Sequence, residues 1–358
     1  MAGKAMTNRQ RVLAALHGET PDRVPFATYD WKFPWGYDKR MLRERGLTMV
    51  NRYPGFAVEY PHCELTTVCY TEKGVRCERE IVKTPKGELT SLFLPDRTCG
   101  VRLQEEYWIK GEADYDPMLF MVNDAVLTPA YEQGLALIEG LGEDGVVYVW
   151  KDYSPLQKIL VHLTGVERFC LELMDRPGKL MALYDALLDL ERRKTPIVVQ
   201  APGDVVQFCA NPIASVLGRD LFAEKIIDPL NEFADAAHRR GRLVSMHVDG
   251  DNAIWADDIA NSKLDMVEAF TPAPDSDMTT AAGRQAFKDK ILWMNFPSSV
   301  HLANADTIRA TTHEILDAVA PGDRFVLGIT EDIPPDCWRR SISAILDVVE
   351  DRGPLPLK

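Results

Sequence analysis

In the segment SMHVDGD, His247 and Asp249 alternate at strand spacing, so both side chains can face one side, and Gly250 lets the backbone turn close by. Glu268 ends the apolar run MVEAF, and Glu331 follows the run LGIT. One imidazole with two or three carboxylates is a competent donor set for Zn²⁺ or another divalent ion. The same four side chains can equally form a hydrogen-bonded polar network without metal. His247 and Glu331 are also the residues to which catalysis is assigned.

A second group follows the segment RVPFAT. The stretch TYDWKFPWGYD carries Tyr29, Trp31, Phe33, Trp35 and Tyr37. Aromatic side chains at that place could wall a pocket for a planar apolar substrate, or form a lid or a partner contact. His17, His238 and His313 lie in helical patterns and read as solvated, and His62 beside Cys63 reads as an ordinary loop residue. No GxGxxG, P-loop, GxSxG or HExxH pattern is present, which removes support for nucleotide binding, serine hydrolysis and zincin chemistry. Cysteines 63, 69, 77, 99, 170, 209 and 337 are scattered without a CxxC pair and read as reduced thiols in a cytoplasmic protein.

Elements must bring these groups together. Short apolar runs at 146–150, 205–208, 243–247, 266–270, 291–294 and 325–327 read as strands, separated by helical patterns such as 221–240, 306–319 and 335–349. Strands alternating with helices predict a parallel sheet. The segment 23–28 adds a seventh strand and 56–60 an eighth, which closes a (β/α)8 barrel. Thr7 caps an opening helix that presents Val12, Leu13 and Leu16 and stops at Gly18. Over about 63–110 the pattern changes to alternating residues, with Lys73-Gly74 and Pro85-Lys86-Gly87 as turns, and predicts an antiparallel β-hairpin insertion. The whole of 1–358 is thus expected to be a single TIM-barrel domain. Barrel chemistry gathers at the C-terminal strand ends, which here carry Asp30, Glu59, Asp152, Asn211, His247, Asp249, Glu268, Asn295 and Glu331.

The chain has 358 residues, a net charge of -13 and 46% hydrophobic residues, the balance of an ordinary globular protein. With 41 basic against 54 acidic residues, nucleic acid is not an expected partner, because that binding rests on Lys and Arg neutralising phosphates. No apolar run reaches bilayer length and residues 1–10 are polar, so neither a membrane span nor a signal peptide is expected.

The opening NRQRVLAALHGETPDRVPF, then MHVDGD, VEAFTPAPDSDMT, ILWMNFPSSV and FVLGITEDIPPD, resemble the uroporphyrinogen decarboxylase superfamily, specifically its corrinoid-dependent methyltransferase branch. The resemblance runs over nearly the whole chain and implies a (β/α)8 barrel. Decarboxylases of that superfamily carry an arginine-rich motif after the first strand for substrate carboxylates. Here the equivalent ATYDWKFPWGYD has no arginine cluster, which argues against a multi-carboxylate tetrapyrrole.

Relatives that deliver methyl groups to coenzyme M hold zinc with a His-x-Cys pair and a later cysteine. By that resemblance His247 stands for the histidine and Asp249 for the first cysteine. The later cysteine has become Leu327-Gly328-Ile329 with Glu331 nearby, and Glu268 resembles an acidic residue that completes such a site. Imidazole and carboxylates leave zinc a harder Lewis acid than thiolates do, suited to an oxygen substrate. The resemblance therefore implies methyl transfer from a methoxylated aromatic ether to the Co(I) cobalamin of a separate corrinoid protein, since no DxHxxG segment is present. In that reading Tyr29, Asp30, Trp31, Phe33 and Trp35 hold substrate, and Asn211 and Asn295 orient its oxygens. A homo-oligomer is compatible with these features. Two other readings stay open: a metal-independent lyase with Lys32, Arg40 or Lys151 as cationic anchor, and a non-catalytic binding barrel.

Overall fold

Thr7 and Gln10 begin the first helix with a reciprocal capping box: the Gln10 amide donates to Thr7 Oγ1 at 3.1 Å and the Thr7 amide to Gln10 Oε1 at 3.1 Å. This helix, Asn8–Leu16, buries Val12, Ala15 and Leu16 against the barrel. The computed structural model describes residues 5–34, 36–95 and 102–357.

Eight strands form a closed barrel: β1 Phe26–Tyr29, β2 Leu47–Tyr53, β3 Gly145–Tyr153, β4 Val205–Cys209, β5 Leu243–His247, β6 Met266–Phe270, β7 Ile291–Asn295 and β8 Phe325–Ile329. Each pairs with its neighbours in sequence, and β1 closes on β8 in parallel through Phe26 opposite Leu327. The strands are short, apolar and buried on both faces, as parallel strands between helices must be. Ala27, Tyr29, Val50, Tyr148, Met266, Trp293 and Val326 fill the interior. Burying each large apolar side chain stabilises by roughly 1.5–3 kcal/mol. A Cβ on Gly328 would lie 1.6 Å from Trp293 Nε1, so the glycine admits that indole.

The expected barrel is present, but its second strand is not at 56–60. Phe56–Glu59 pairs antiparallel with Val126–Pro129 in a separate two-stranded sheet. The true β2 carries Asn51 and Arg52 near its end, and these polar residues hide its apolar start, Leu47 to Val50. Glu59 accordingly ends a strand of that sheet and not a barrel strand. The hairpins predicted for 63–110 are a four-stranded antiparallel sheet of Glu64–Glu72, Val75–Thr84, Gly87–Pro95 and Arg102–Glu106. Lys73 and Gly74 have φ of 50° and 78°, the conformation a two-residue hairpin loop needs. The helical pattern at 221–240 is broken into Ala214–Phe222, a π segment Ala223–Ile227 and Asp228–His238.

The chain divides into two compact units. The first comprises Met1–Gly55, Tyr131–Asp152 and Val199–Lys358 and carries the barrel. The second comprises Phe56–Ala130 and Tyr153–Val198 and carries both antiparallel sheets. No helix among the described residues is long and apolar enough to cross a membrane.

Candidate active site

Parallel register sets His247 on β5 directly beside Glu268 on β6, with Cys209 on β4 as its other neighbour. The strand ends around them are distorted. Register shifts between Val267 and Phe270 on β6, where Ala269 takes φ of 64°, and Asp152 near the end of β3 and Asn211 after β4 also have positive φ. Non-glycine residues held in that region store backbone strain and cluster where side chains must be aimed.

His247 Nδ1 lies 2.5 Å from Glu268 Oε2. Tyr29 donates its hydroxyl to Glu268 Oε1 at 2.5 Å, and Gln207 Nε2 donates to Oε2 at 2.9 Å, so this buried carboxylate is fully engaged. The opposite imidazole nitrogen, Nε2, faces Asp249 Oδ2 at 3.5 Å, and Asp249 in turn hydrogen-bonds Glu331. The electrostatics of the cluster favour positive charge at its centre. Burial alone would lower the His247 pKa, but the Glu268 charge and the hydrogen bonds the imidazole donates to Asp249 and Glu268 push it up to about 10. Burial and the Asp249 charge raise the Glu331 carboxyl. Burial would also raise Asp249, yet its hydrogen bond and attraction to His247 outweigh that and lower it.

This arrangement divides the four residues expected to bind metal. Two ligands about 2.1 Å from a tetrahedral ion stand roughly 3.4 Å apart, which the His247 Nε2 to Asp249 spacing of 3.5 Å matches. Glu268 sits at the other nitrogen, at hydrogen-bond distance, where it fixes the ring and leaves Nε2 for an ion. The His247 and Asp249 pair is thus spaced as two ligands of one ion would be, whereas Glu268 stands behind the histidine. Among the described residues, no three such side chains already stand at coordination spacing. A cavity of about 530 Å³ opens beside Asp249 and Glu331, also lined by Thr271, Asp275, Ser298 and Ser299.

The expected substrate residues separate too. Tyr29 and Trp31 stack with ring centroids 4.5 Å apart, Tyr29 buried and Trp31 48% exposed. Asp30 is buried in an ion pair with Lys39 at 2.8 Å, and Phe33 is buried against Trp338, so both are engaged within the fold. Asn295 is buried and ties strand ends together by donating to Thr330 Oγ1 at 2.6 Å, while the Asn211 amide donates to His247 O at 2.9 Å. Trp35 lies outside the described residues.

Two residues had escaped the strand-end reading. Arg52 on β2 places its guanidinium 4.3 and 4.8 Å from the Tyr29 and Trp31 ring centroids, and its Nη1 donates to Gln207 Oε1 at 3.1 Å. Assigning 47–53 to the barrel would have set Arg52 near a strand end. Gln207 signals itself as the one polar residue in VVQFC, a run that is wholly buried.

The family model for uroporphyrinogen decarboxylase (URO-D) matches residues 158–352, more than half the chain and all four residues of the His247 cluster. No curated protein matches the sequence. A solved structure, a methyltransferase from Methanosarcina mazei, is similar with a TM-score of 0.57 and 15% identity, covering 97% of this chain and 99% of that one. At that identity the likeness speaks for the shared fold alone. The family match, the closed parallel barrel and the polar cluster at its mouth agree: the chain belongs to the uroporphyrinogen decarboxylase family.

Proposed function

We propose that this protein is a zinc-dependent methyltransferase that moves a methyl group from an aryl methyl ether to the Co(I) corrinoid of a partner protein. The observation that carries the reading is the orientation of His247: Glu268 holds Nδ1, so Nε2 is presented to Asp249. Zinc bound by His247, Asp249 and Glu331 would supply a hard Lewis acid for the ether oxygen. Tyr29 and Gln207 keep Glu268, and through it the imidazole ring, from turning. The half-exposed Trp31 offers an aromatic face for the ring of the donor. In the transfer the methyl–oxygen bond breaks with its electron pair left on oxygen, and the methyl carbon takes up the electron pair of the reduced acceptor. The acceptor reaches the methyl group from the open side of the barrel, where the cavity beside Asp249 and Glu331 lies.

The test is a panel of methyl ethers incubated with the protein and Co(I) cobalamin, followed by the corrinoid absorbance change, with zinc measured in the same sample. The reading predicts zinc-dependent loss of the Co(I) spectrum with at least one aryl ether. Absence of transfer from every ether in zinc-loaded protein would refute it.

A further inference from the structure

The cations near the candidate active site are not equivalent. Lys32 pairs with Asp332 at 3.0 Å, Lys39 pairs with Asp30, and Arg40 pairs with Glu44 at 3.6 Å on an exposed helix. Lys151 is buried with its ammonium over the rings of Phe208 and Phe233. None of the three anchors considered from sequence is thus an uncommitted cation facing the His247 cluster. Arg52 differs. It is half-buried, and no Asp or Glu oxygen among the described residues lies within 4.0 Å of it. Among the described residues its only hydrogen bonds run from Nη1, to Gln207 Oε1 and, at 3.4 Å, to the Tyr29 hydroxyl, both neutral groups.

A partly desolvated guanidinium without a counter-ion is costly, and an anionic ligand removes that cost. The nitrogens of Arg52 left without partners, Nε and Nη2, are the pair whose N–H bonds run parallel and grip a carboxylate side-on. Tyr29 links this fork to the candidate metal cluster, its hydroxyl lying 3.4 Å from Arg52 Nη1 and 3.5 Å from His247 Nδ1. That one hydroxyl bridges the two groups, and the Trp31 ring stands 4.8 Å from the Arg52 guanidinium. Charge also orients a ligand here. The His247 cluster holds three carboxylates and repels an anion, whereas Arg52 attracts one.

We infer that Arg52 is the specificity-determining residue of this site, and that the methyl donor is a methoxylated aromatic acid whose carboxylate rests on Arg52 while its methoxy group points to His247. The inference rests on the methyltransferase reading for the word donor, but the binding claim can be tested without turnover.

Calorimetric titration of the full-length protein with 4-methoxybenzoate and with its neutral analogue 4-methoxybenzamide separates the two claims. Charge-assisted hydrogen bonds predict binding of the acid at least about tenfold tighter than of the amide. Arg52→Gln should abolish that preference, and Arg52→Lys should keep part of it. Equal affinity for acid and amide in the wild-type protein, or an equal loss for both ligands in either variant, would overturn the inference. In the Co(I) assay, neutral ethers reacting as fast as acids would overturn it while leaving the methyltransferase reading intact. Arg52-dependent binding of the acid with no transfer from any ether would do the reverse.

Discussion

The Glu268 carboxylate and the His247 imidazole meet at 2.5 Å through Nδ1, and that contact decides what the rest of the site can do. It commits one nitrogen to holding the ring and turns the other toward Asp249. Four residues of similar donor chemistry thereby take two different roles.

Glu268→Gln tests this division. The amide preserves size but removes the charge that fixes the imidazole, and loss of such an outer partner typically lowers metal affinity by about 10- to 100-fold. Zinc affinity, read by competition with a chromophoric chelator, should fall by that amount, while Asp249→Ala should abolish measurable binding. Unchanged affinity in the glutamine variant would mean that Glu268 does not orient His247.

Gly328→Ala should destabilise the barrel without touching the polar cluster. The new methyl group would meet Trp293 at 1.6 Å inside a packed interior, and overpacking of this kind costs about 1–3 kcal/mol. Urea denaturation checks it: the midpoint should drop with the slope unchanged.

His301 predicts an acid limit to stability. It is buried, its Nδ1 lies 2.5 Å from Ser341 Oγ, and burial pushes its pKa down to about 4. The folded chain prefers the neutral ring, so the contribution to stability is full above the unfolded value near 6.5 and is lost as pH falls toward 4. The whole effect is about 3 kcal/mol. Denaturation midpoints of the wild type and His301→Gln between pH 7 and pH 4 should converge as the pH drops; parallel curves would contradict the assignment.

The polar ends of β5, β6 and β8 were legible in the sequence because each follows an uninterrupted apolar run, and this put His247, Glu268 and Glu331 at one mouth. Strand β2 was not legible. Its Leu47 to Val50 start is followed at once by Asn51 and Arg52, and the more apolar Phe56 segment downstream competes for the same place. Arg52 was lost with it. The division of labour around His247 could not be read either, because strand spacing gives a shared face but not which imidazole nitrogen each carboxylate meets. Asp30 shows a further limit. A carboxylate after a strand resembles a ligand until the lysine that neutralises it, Lys39, is seen folding back from the next helix.

The central claim, metal on His247, Asp249 and Glu331 driving transfer from an ether, is tested most directly by assaying one sample for zinc content and Co(I)-dependent demethylation before and after chelation. The account predicts about one zinc per chain, loss of turnover on its removal and recovery on adding zinc back. Metal-free protein that still demethylates the ether at its original rate would contradict it.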